Sequence, residues 1–296
     1  MKIDYVIPMV FDNDPIWKAS YVSHIGEKPN PTRYRSWDTE DLLVECIKTF
    51  MPWIDTIIIL LAHESQKQPW MDTEKVRTVY HREFIPKKYL PCFNSCTIEM
   101  FLPFIPDLAE YFIYGNDDMF PISPLLKSDF FVSGKPCIDI EERTFPEYKN
   151  TFHRKCKLQQ DMIGRRFGWE GNNTWLYNGH SINAFVKSEC FNCRVLFGKE
   201  IEDGITPLRS VTSFNQYIYV LWQYFSKKYV DYAPVRKYLS ACDSLDKIRD
   251  VILSDNVGVV CINDYELVRD ISNHAKVIRE AIEEKISIIH SDSGVA

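Results

Sequence analysis

The chain of 296 residues is 45% hydrophobic and 14% aromatic, enough to bury a substantial core and to exclude disorder. Its 41 acidic residues against 35 Lys and Arg give a formal charge of −6, which offers no basic footprint for nucleic acid yet leaves room for a local basic pocket around a phosphorylated ligand. No run approaches the ~18 apolar residues of a membrane span, and Met1-Lys2-Ile3-Asp4 opens the chain without a charged leader and apolar signal core, so a cytoplasmic protein is expected.

Residues 3–10 (IDYVIPMV) form a β-branched apolar run that stops in the acidic turn Asp12-Asn13-Asp14-Pro15, which predicts a buried first strand. Asp38-Thr39-Glu40-Asp41 has the spacing of a capping box, and the helix it opens runs to about Phe50, ahead of Pro52. Residues 56–62 and 76–81 predict the second and third strands. A short helix begins at Asn94-Ser95, with Ile98, Phe101 and Leu102 at helical spacing, and Pro103 and Pro106 stop it. Residues 111–115 (YFIYG) predict a fourth strand that ends at Asn116-Asp117-Asp118.

Beyond Pro121 the pattern changes. Residues 134–150 are polar and contain proline, which predicts an excursion from the core. Residues 154–167 predict a helix, Gly171-Asn172-Asn173 a turn, and 210–227 and 264–286 two longer helices. Residues 291–296 predict a flexible tail. The order implies an α/β fold, a mostly parallel sheet covered by helices, in one domain over residues 1–290 with an insertion at about 131–175 and C-terminal helices. Nine scattered cysteines, with Cys190 and Cys193 as a lone CxxC, lack a second pair at zinc-ligand spacing and are expected to be reduced thiols.

Ligands of such sheets bind beyond the carboxyl ends of the strands, where both acidic turns fall. Asp117 and Asp118 repel each other unless a cation or donors offset the charge, and a divalent ion held by one or two carboxylates, water and phosphate oxygens answers that need. Asp12, Asn13 and Asp14 are either a ligand-lining turn or an ordinary proline-linked one. Glu99, on an apolar helix, faces either solvent or a polar site. His180, after Gly179, is the side chain suited to take a proton from a sugar hydroxyl, or else a structural histidine. Arg209, at a predicted helix start, is either a fork for a phosphate or a surface residue. The aromatic run 217–230 is either a core helix or a membrane-surface contact.

Taken in order, these motifs resemble the Stealth family, which includes bacterial capsular-polysaccharide phosphotransferases and the catalytic part of animal N-acetylglucosamine-1-phosphotransferase. The resemblance rests on Ile3-Asp4-Tyr5-Val6-Ile7-Pro8-Met9-Val10 with Asp12-Asn13-Asp14-Pro15-Ile16-Trp17; on Arg33-Tyr34-Arg35, Pro52-Trp53-Ile54, Gln68-Pro69-Trp70, His81, Tyr89-Leu90-Pro91, Phe93-Asn94-Ser95, Ile98-Glu99 and Tyr114 with Asn116-Asp117-Asp118-Met119-Phe120; on His180 and Arg209; and on Cys261-Ile262-Asn263-Asp264. Family members often carry Gly where Asn13 stands, and an Arg common before Pro-Trp is Glu45 here. Residues 131–175 have no counterpart.

The resemblance implies a glycosyltransferase-A-like core, a UDP-sugar donor, a divalent metal (Mg2+ or Mn2+) on Asp117 and Asp118, and Glu99, Asp118, His180 and Arg209 at the active site. Arg33, Arg35, Asn94, Asn116, Asn263 and Asp264 are expected on the substrate side, with Asp12, Asn13 and Asp14 along the nucleotide. The implied reaction moves hexose-1-phosphate to a glycan or lipid-linked oligosaccharide hydroxyl, at the inner face of the membrane. The alternatives are a metal-dependent glycosyltransferase that releases UDP and an inactive carbohydrate-binding relative.

Overall fold

The computed structural model describes residues 1–146, 150–268 and 270–292. Its central sheet has the order β10-β4-β1-β2-β3, from β1 (Ile3–Pro8), β2 (Thr56–Leu61), β3 (Val76–Tyr80), β4 (Tyr111–Tyr114) and β10 (Asn183–Val186). The first four strands run parallel, and β10 closes one edge antiparallel to β4. The mostly parallel α/β sheet expected from the sequence is therefore the one observed.

Alternation along the strands divides the core into two layers. Ile3, Tyr5 and Ile7 of β1 join Ile57 and Ile59 of β2 on one face, under helix α2 (Glu40–Phe50) and the C-terminal helices α7 (Leu245–Leu253) and α8 (Ile271–Asp292). Val6, Ile58 and Leu60 point to the other face. There they meet α3 (Ser95–Met100), α4 (Thr151–Arg166), α5 (Lys187–Leu196) and α6 (Tyr217–Phe225). Helix α1 (Pro15–Ile25) follows the first turn, with Trp17 and Tyr21 buried against Phe93. A second small sheet, β12-β13-β5, brings β13 (Val259–Asn263) antiparallel to β5 (Met119–Pro121) and parallel to β12 (Arg236–Ser240).

Several boundaries differ from expectation. Residues 134–146, expected as an excursion, are anchored in the core by Ile138 and Phe145. They contain β7 (Lys135–Ile138), paired with β6 (Phe131–Val132) and β11 (Val230–Asp231), and β8 (Glu141–Thr144), paired with β9 (Thr174–Tyr177). Ile138, Phe145, Cys156 and Ile163 are buried in the shared core, so sparse apolar anchors outweigh a polar average. The helix expected from residue 210 starts only at Tyr217. Ser210, Thr212 and Ser213 bond to one another and to Thr206 instead, the local competition that hydroxyl side chains offer a helix. The helix expected from 264 starts at Ile271, where Asp270 accepts from Asn273 N–H at 3.0 Å. Of the tail, residues 291 and 292 continue α8, and 293–296 lie outside the described residues.

The aromatic run is a core helix: Tyr217 through Leu221 are all buried. Among the described residues no helix is long and apolar enough to cross a membrane. The cysteines are free thiols, and all but Cys242 are buried.

His81 follows β3 with both ring nitrogens buried and without a hydrogen-bond partner among the described residues, and burial pushes its pKa down to about 4. A depressed folded value means that stability is intact above the ordinary value of 6.5 and is lost as pH falls from there towards 4, because only the unfolded chain takes up the proton. The loss amounts to about 3 kcal/mol. We expect His81→Phe to match the wild type or exceed it at pH 7, and to exceed it by an increasing margin between pH 6.5 and 4. Urea midpoints across that range test this, and a margin independent of pH would contradict it.

Candidate active site

The carboxyl ends of β1 and β4 open into one cavity of about 730 Å³, a size suited to a nucleotide-sugar. Asn116-Asp117-Asp118 forms its floor. Met119 N–H donates to the Asn116 carbonyl at 3.2 Å and closes the turn, and Ile262 N–H donates to the Asp118 carbonyl at 2.9 Å, which ties the turn to β13. Gly115 leads into it because nothing else fits: a Cβ there would stand 2.5 Å from the Tyr5 hydroxyl and 2.8 Å from Ile182 Cγ2.

Three further elements bring charged side chains to this floor. His180 precedes β10, whose pairing with β4 sets it at the same sheet edge. Its Nε2 is 4.0 Å from Asp118 Oδ2, and its ring meets Tyr238 edge-on at 5.9 Å. The Gly179 backbone lies so close to the Arg236 guanidinium that a Cβ would reach 2.7 Å from Nε. Arg236 is in turn held by Asp139 at 2.6 Å. Cys261, on β13, places its thiol 3.4 Å from Asp118 Oδ2. Arg209 comes from a loop, not from the expected helix start, and its Nη2 donates to Ser95 Oγ at 2.7 Å.

The acids here are under strain. Burial, the neighbouring Asp118 and Glu40 push the Asp117 carboxyl up to about 8, against a backbone N–H and the charge of Arg209. Glu40 is itself buried and raised, chiefly by burial. Asp118 Oδ1 is buried without a hydrogen-bond partner among the described residues. An orphaned carboxylate oxygen beside a second acid is a donor set that a divalent cation completes. Ligand atoms of Asp118, His180 and Cys261 lie within 4.8 Å of one another, a grouping with the dimensions of a metal site. Burial and Asp118 keep the Cys261 thiol well above its ordinary value, so it stays protonated without a metal, and hard oxygen-seeking ions would use the carboxylates.

Of the residues expected at the site, Arg33, Arg35, Asn116, Asp117, Asp118, His180, Arg209, Asn263 and Asp264 line the cavity. Arg35 and Asp264 form a two-pronged ion pair across it. Asp12, Asn13 and Asp14 do not line it. Asp14 caps α1, accepting from Ile16 N–H at 3.0 Å and Trp17 N–H at 3.2 Å, and takes the Ser65 hydroxyl at 2.6 Å. Asp12 accepts from Ser36 N–H, and Asn13 is exposed. Asn94 is also behind the wall. It caps α3 and donates to the Thr206 carbonyl at 3.0 Å, which fixes the loop of Arg209.

Glu99 too stands behind the wall. Its Oε1 is 3.2 Å from the Tyr114 hydroxyl, which is 3.1 Å from the Asn116 amide oxygen, and its Oε2 accepts from Gln216 N–H at 2.6 Å. Sequence reasoning missed Glu40, Gln216, Cys261 and Tyr238. Cys261 had a signal in its place beside Asn263-Asp264. Glu40 had the spacing of a helix cap, and only its burial distinguishes it.

Together these elements make a cation-ready acidic floor at the end of a parallel sheet, with an imidazole and a guanidinium facing it, an arrangement suited to phosphoryl transfer. The family model described as Stealth protein CR2, conserved region 2, matches residues 33–138. A capsular polysaccharide phosphotransferase of Actinobacillus suis is 35% identical over 296 residues, covering 92% of this chain and 79% of that protein. The chain belongs to the Stealth family. The capsular polysaccharide phosphotransferase LcbA of Aeromonas hydrophila is 39% identical over 147 residues, 45% of this chain and 40% of that one. The matched stretch thus spans only about half the length of several such relatives, from 40% to 59% in two of them. The galactosyltransferase LgtC, solved with donor and acceptor sugar analogues, covers 96% of each chain at 12% identity and a TM-score of 0.44, too distant to bear on chemistry.

Millimolar Mn2+ is expected to raise the melting temperature of the wild type and to leave Asp118→Asn unchanged. Without cation, Asp117→Asn should melt about 2 °C above the wild type, since relief of about 1 kcal/mol of repulsion moves a chain of this size by that much. Thermal melts with and without cation decide both, and equal responses of all three proteins would remove the metal from the acidic turn.

Proposed function

We propose that the chain transfers hexose-1-phosphate from a UDP-sugar to a hydroxyl of a glycan or lipid-linked oligosaccharide, forming a phosphodiester and releasing UMP. The observation that carries this reading is the convergence of Asp117, Asp118, His180 and Arg209 on one cavity in a chain of this family. The acceptor oxygen attacks the sugar-bearing phosphorus, the bond from that phosphorus to the bridging oxygen breaks, and the electron pair leaves with UMP. His180 Nε2, 4.0 Å from Asp118 Oδ2, takes the hydroxyl proton. Arg209 grips the transferring phosphate with its planar fork. A divalent cation, Mg2+ or Mn2+, on Asp117 and Asp118 would neutralise the diphosphate. Arg33, Arg35, Asn116, Asn263 and Asp264 line the cavity where the two substrates are expected.

The names of the relatives suggest capsule or exopolysaccharide as the product. An acceptor carried on lipid would bring this reaction to the inner face of the membrane.

With a UDP-hexose, a divalent cation and a glycan acceptor, the nucleotide product should be UMP, accompanied by a phosphodiester signal in phosphorus NMR. UDP with an ordinary glycosidic product would instead assign the chain to the glycosyltransferases, and donor binding without turnover would make it a binding protein. Arg209→Lys should lose at least about tenfold in turnover, because an ammonium cannot reproduce two parallel hydrogen bonds. Near-normal turnover in that variant would take Arg209 off the phosphate.

A further inference from the structure

The stretch for which the sequence offered no counterpart contributes to a row of aromatic rings along the cavity. Phe152 on the first turn of α4, Trp175 and Tyr177 of β9, and Tyr238 of β12 all line it. Residues two apart on a strand share a face, and Trp175 and Tyr177 accordingly stand side by side with ring centroids 5.0 Å apart. Phe152 meets Trp175 at 6.4 Å. Trp175 is itself buried and backed by Phe145, stacked on it at 5.5 Å, so it is the fixed base of the row. The row runs into the reaction centre. Tyr177 is three residues before His180, at most about 11 Å along the backbone, and the Tyr238 ring meets the His180 ring edge-on. Phe152 is 43% exposed and Tyr238 55%. Rings left wet in a concave cavity are surface that a ligand covers.

We propose that this row is the acceptor subsite, taking a neutral oligosaccharide by the C–H faces of its sugar rings and presenting one of its hydroxyls to His180. This rests on the sugar-phosphate transfer reading of the site. A pyranose carries hydroxyls around its rim and C–H groups on its faces, and those slightly positive hydrogens suit the negative face of an aromatic ring. The cations beside the row are already taken. Arg143, over the Tyr177 ring at 3.8 Å, is paired with Glu141, and Arg236, against Gly179, is paired with Asp139. Neither is free to hold a phosphate, which favours an uncharged ligand here. Asn178 supplies a polar contact. Its amide nitrogen donates to the Asp139 carbonyl at 3.0 Å, and its amide oxygen has no hydrogen bond among the described residues, so it can accept from a sugar hydroxyl. In-line transfer sets the attacking and leaving oxygens on opposite sides of the phosphorus. His180 takes the proton of the attacking oxygen, so the wall that leads to His180 belongs to the acceptor and the uridine lies across from it.

Two measurements test this on Phe152→Ala and Tyr238→Ala, whose exposed side chains can be removed without unfolding the chain. In ligand-observed NMR, chitotetraose, maltotetraose and β1,4-galactotetraose are titrated into the wild type and both variants. At least one should bind the wild type, and each variant should bind it about tenfold more weakly, while Phe152→Tyr and Tyr238→Phe keep the ring and stay close to the wild type. The affinity for UDP with Mn2+ should be the same in all of them. In the transfer assay, each alanine variant should raise the KM for the acceptor about tenfold and leave the KM for the donor in place. If none of the three tetrasaccharides binds the wild type, or if the variants bind them equally well, the subsite is overturned. Loss of UDP affinity with glycan binding intact also overturns it, and gives the rings to the nucleotide. Transfer with an unaltered acceptor KM removes the subsite and leaves the functional reading standing. Glycan binding that depends on both rings, in a wild type that transfers nothing, keeps the subsite and ends the functional reading.

Discussion

Asp117 and Asp118 stand side by side where a buried strand meets the cavity, and their mutual repulsion organises the rest of this molecule. A carboxylate pair in water costs little, but here burial, Asp118 and the nearby Glu40 push Asp117 towards its protonated form, and one oxygen of Asp118 is shut in without a partner among the described residues. The surroundings supply what that arrangement lacks. Arg209 faces it from a loop pinned by hydroxyls and by Asn94, and His180 approaches Asp118 from the edge strand. The backbone carbonyl of Asp118 is held by β13, so the turn cannot relax outward to separate the charges. Repulsion kept in place by a rigid scaffold is a means of binding a cationic or metal-bridged ligand, since the ligand removes a penalty already present in the free protein.

A second layer stands behind that floor. Glu99 and Asn94 do not reach the cavity, yet each fixes something that does: Glu99 the start of α6 and the Tyr114–Asn116 contact, Asn94 the loop of Arg209. Helix α4 completes this layer through Gln159, which bonds twice to Asn215 beside Gln216. The polar groups behind the wall are thus connected to one another, as buried polar networks must be to avoid unpaired donors and acceptors.

Much of this was legible in the sequence. The strands β1 to β4 were visible because each is a short run rich in β-branched and aromatic residues, the pattern of a sheet buried on both faces. The acidic turn, His180 and Arg209 were found as residue types suited to the chemistry, and they do meet. Three things were not legible. The first is which polar residues touch the cavity and which support it: Asp14 and Asp118 have similar neighbours in sequence, and only the hydrogen bonds show that one caps a helix. The second is the stretch 131–175, whose apolar anchors are too sparse for periodicity to catch. The third is the pair of late helices, each of which starts some seven residues after its pattern begins, because Ser210 and Ser213 bond to each other and Asp264 is held by the distant Arg35.

The edge strand β10 and the distant β13 have a consequence for how the cavity comes into being. The acidic turn is complete by residue 120, but His180 is fixed only when β10 pairs with β4, and the turn is anchored only when Ile262 reaches the Asp118 carbonyl. A growing chain therefore builds the repelling carboxylates long before it builds the partners that face them. No fragment that stops short of residue 263 contains the whole cavity. The edge of β4 is open to other strands until residues 183–186 have been made, and the cavity is complete only once Asp264 and Ile278 have followed.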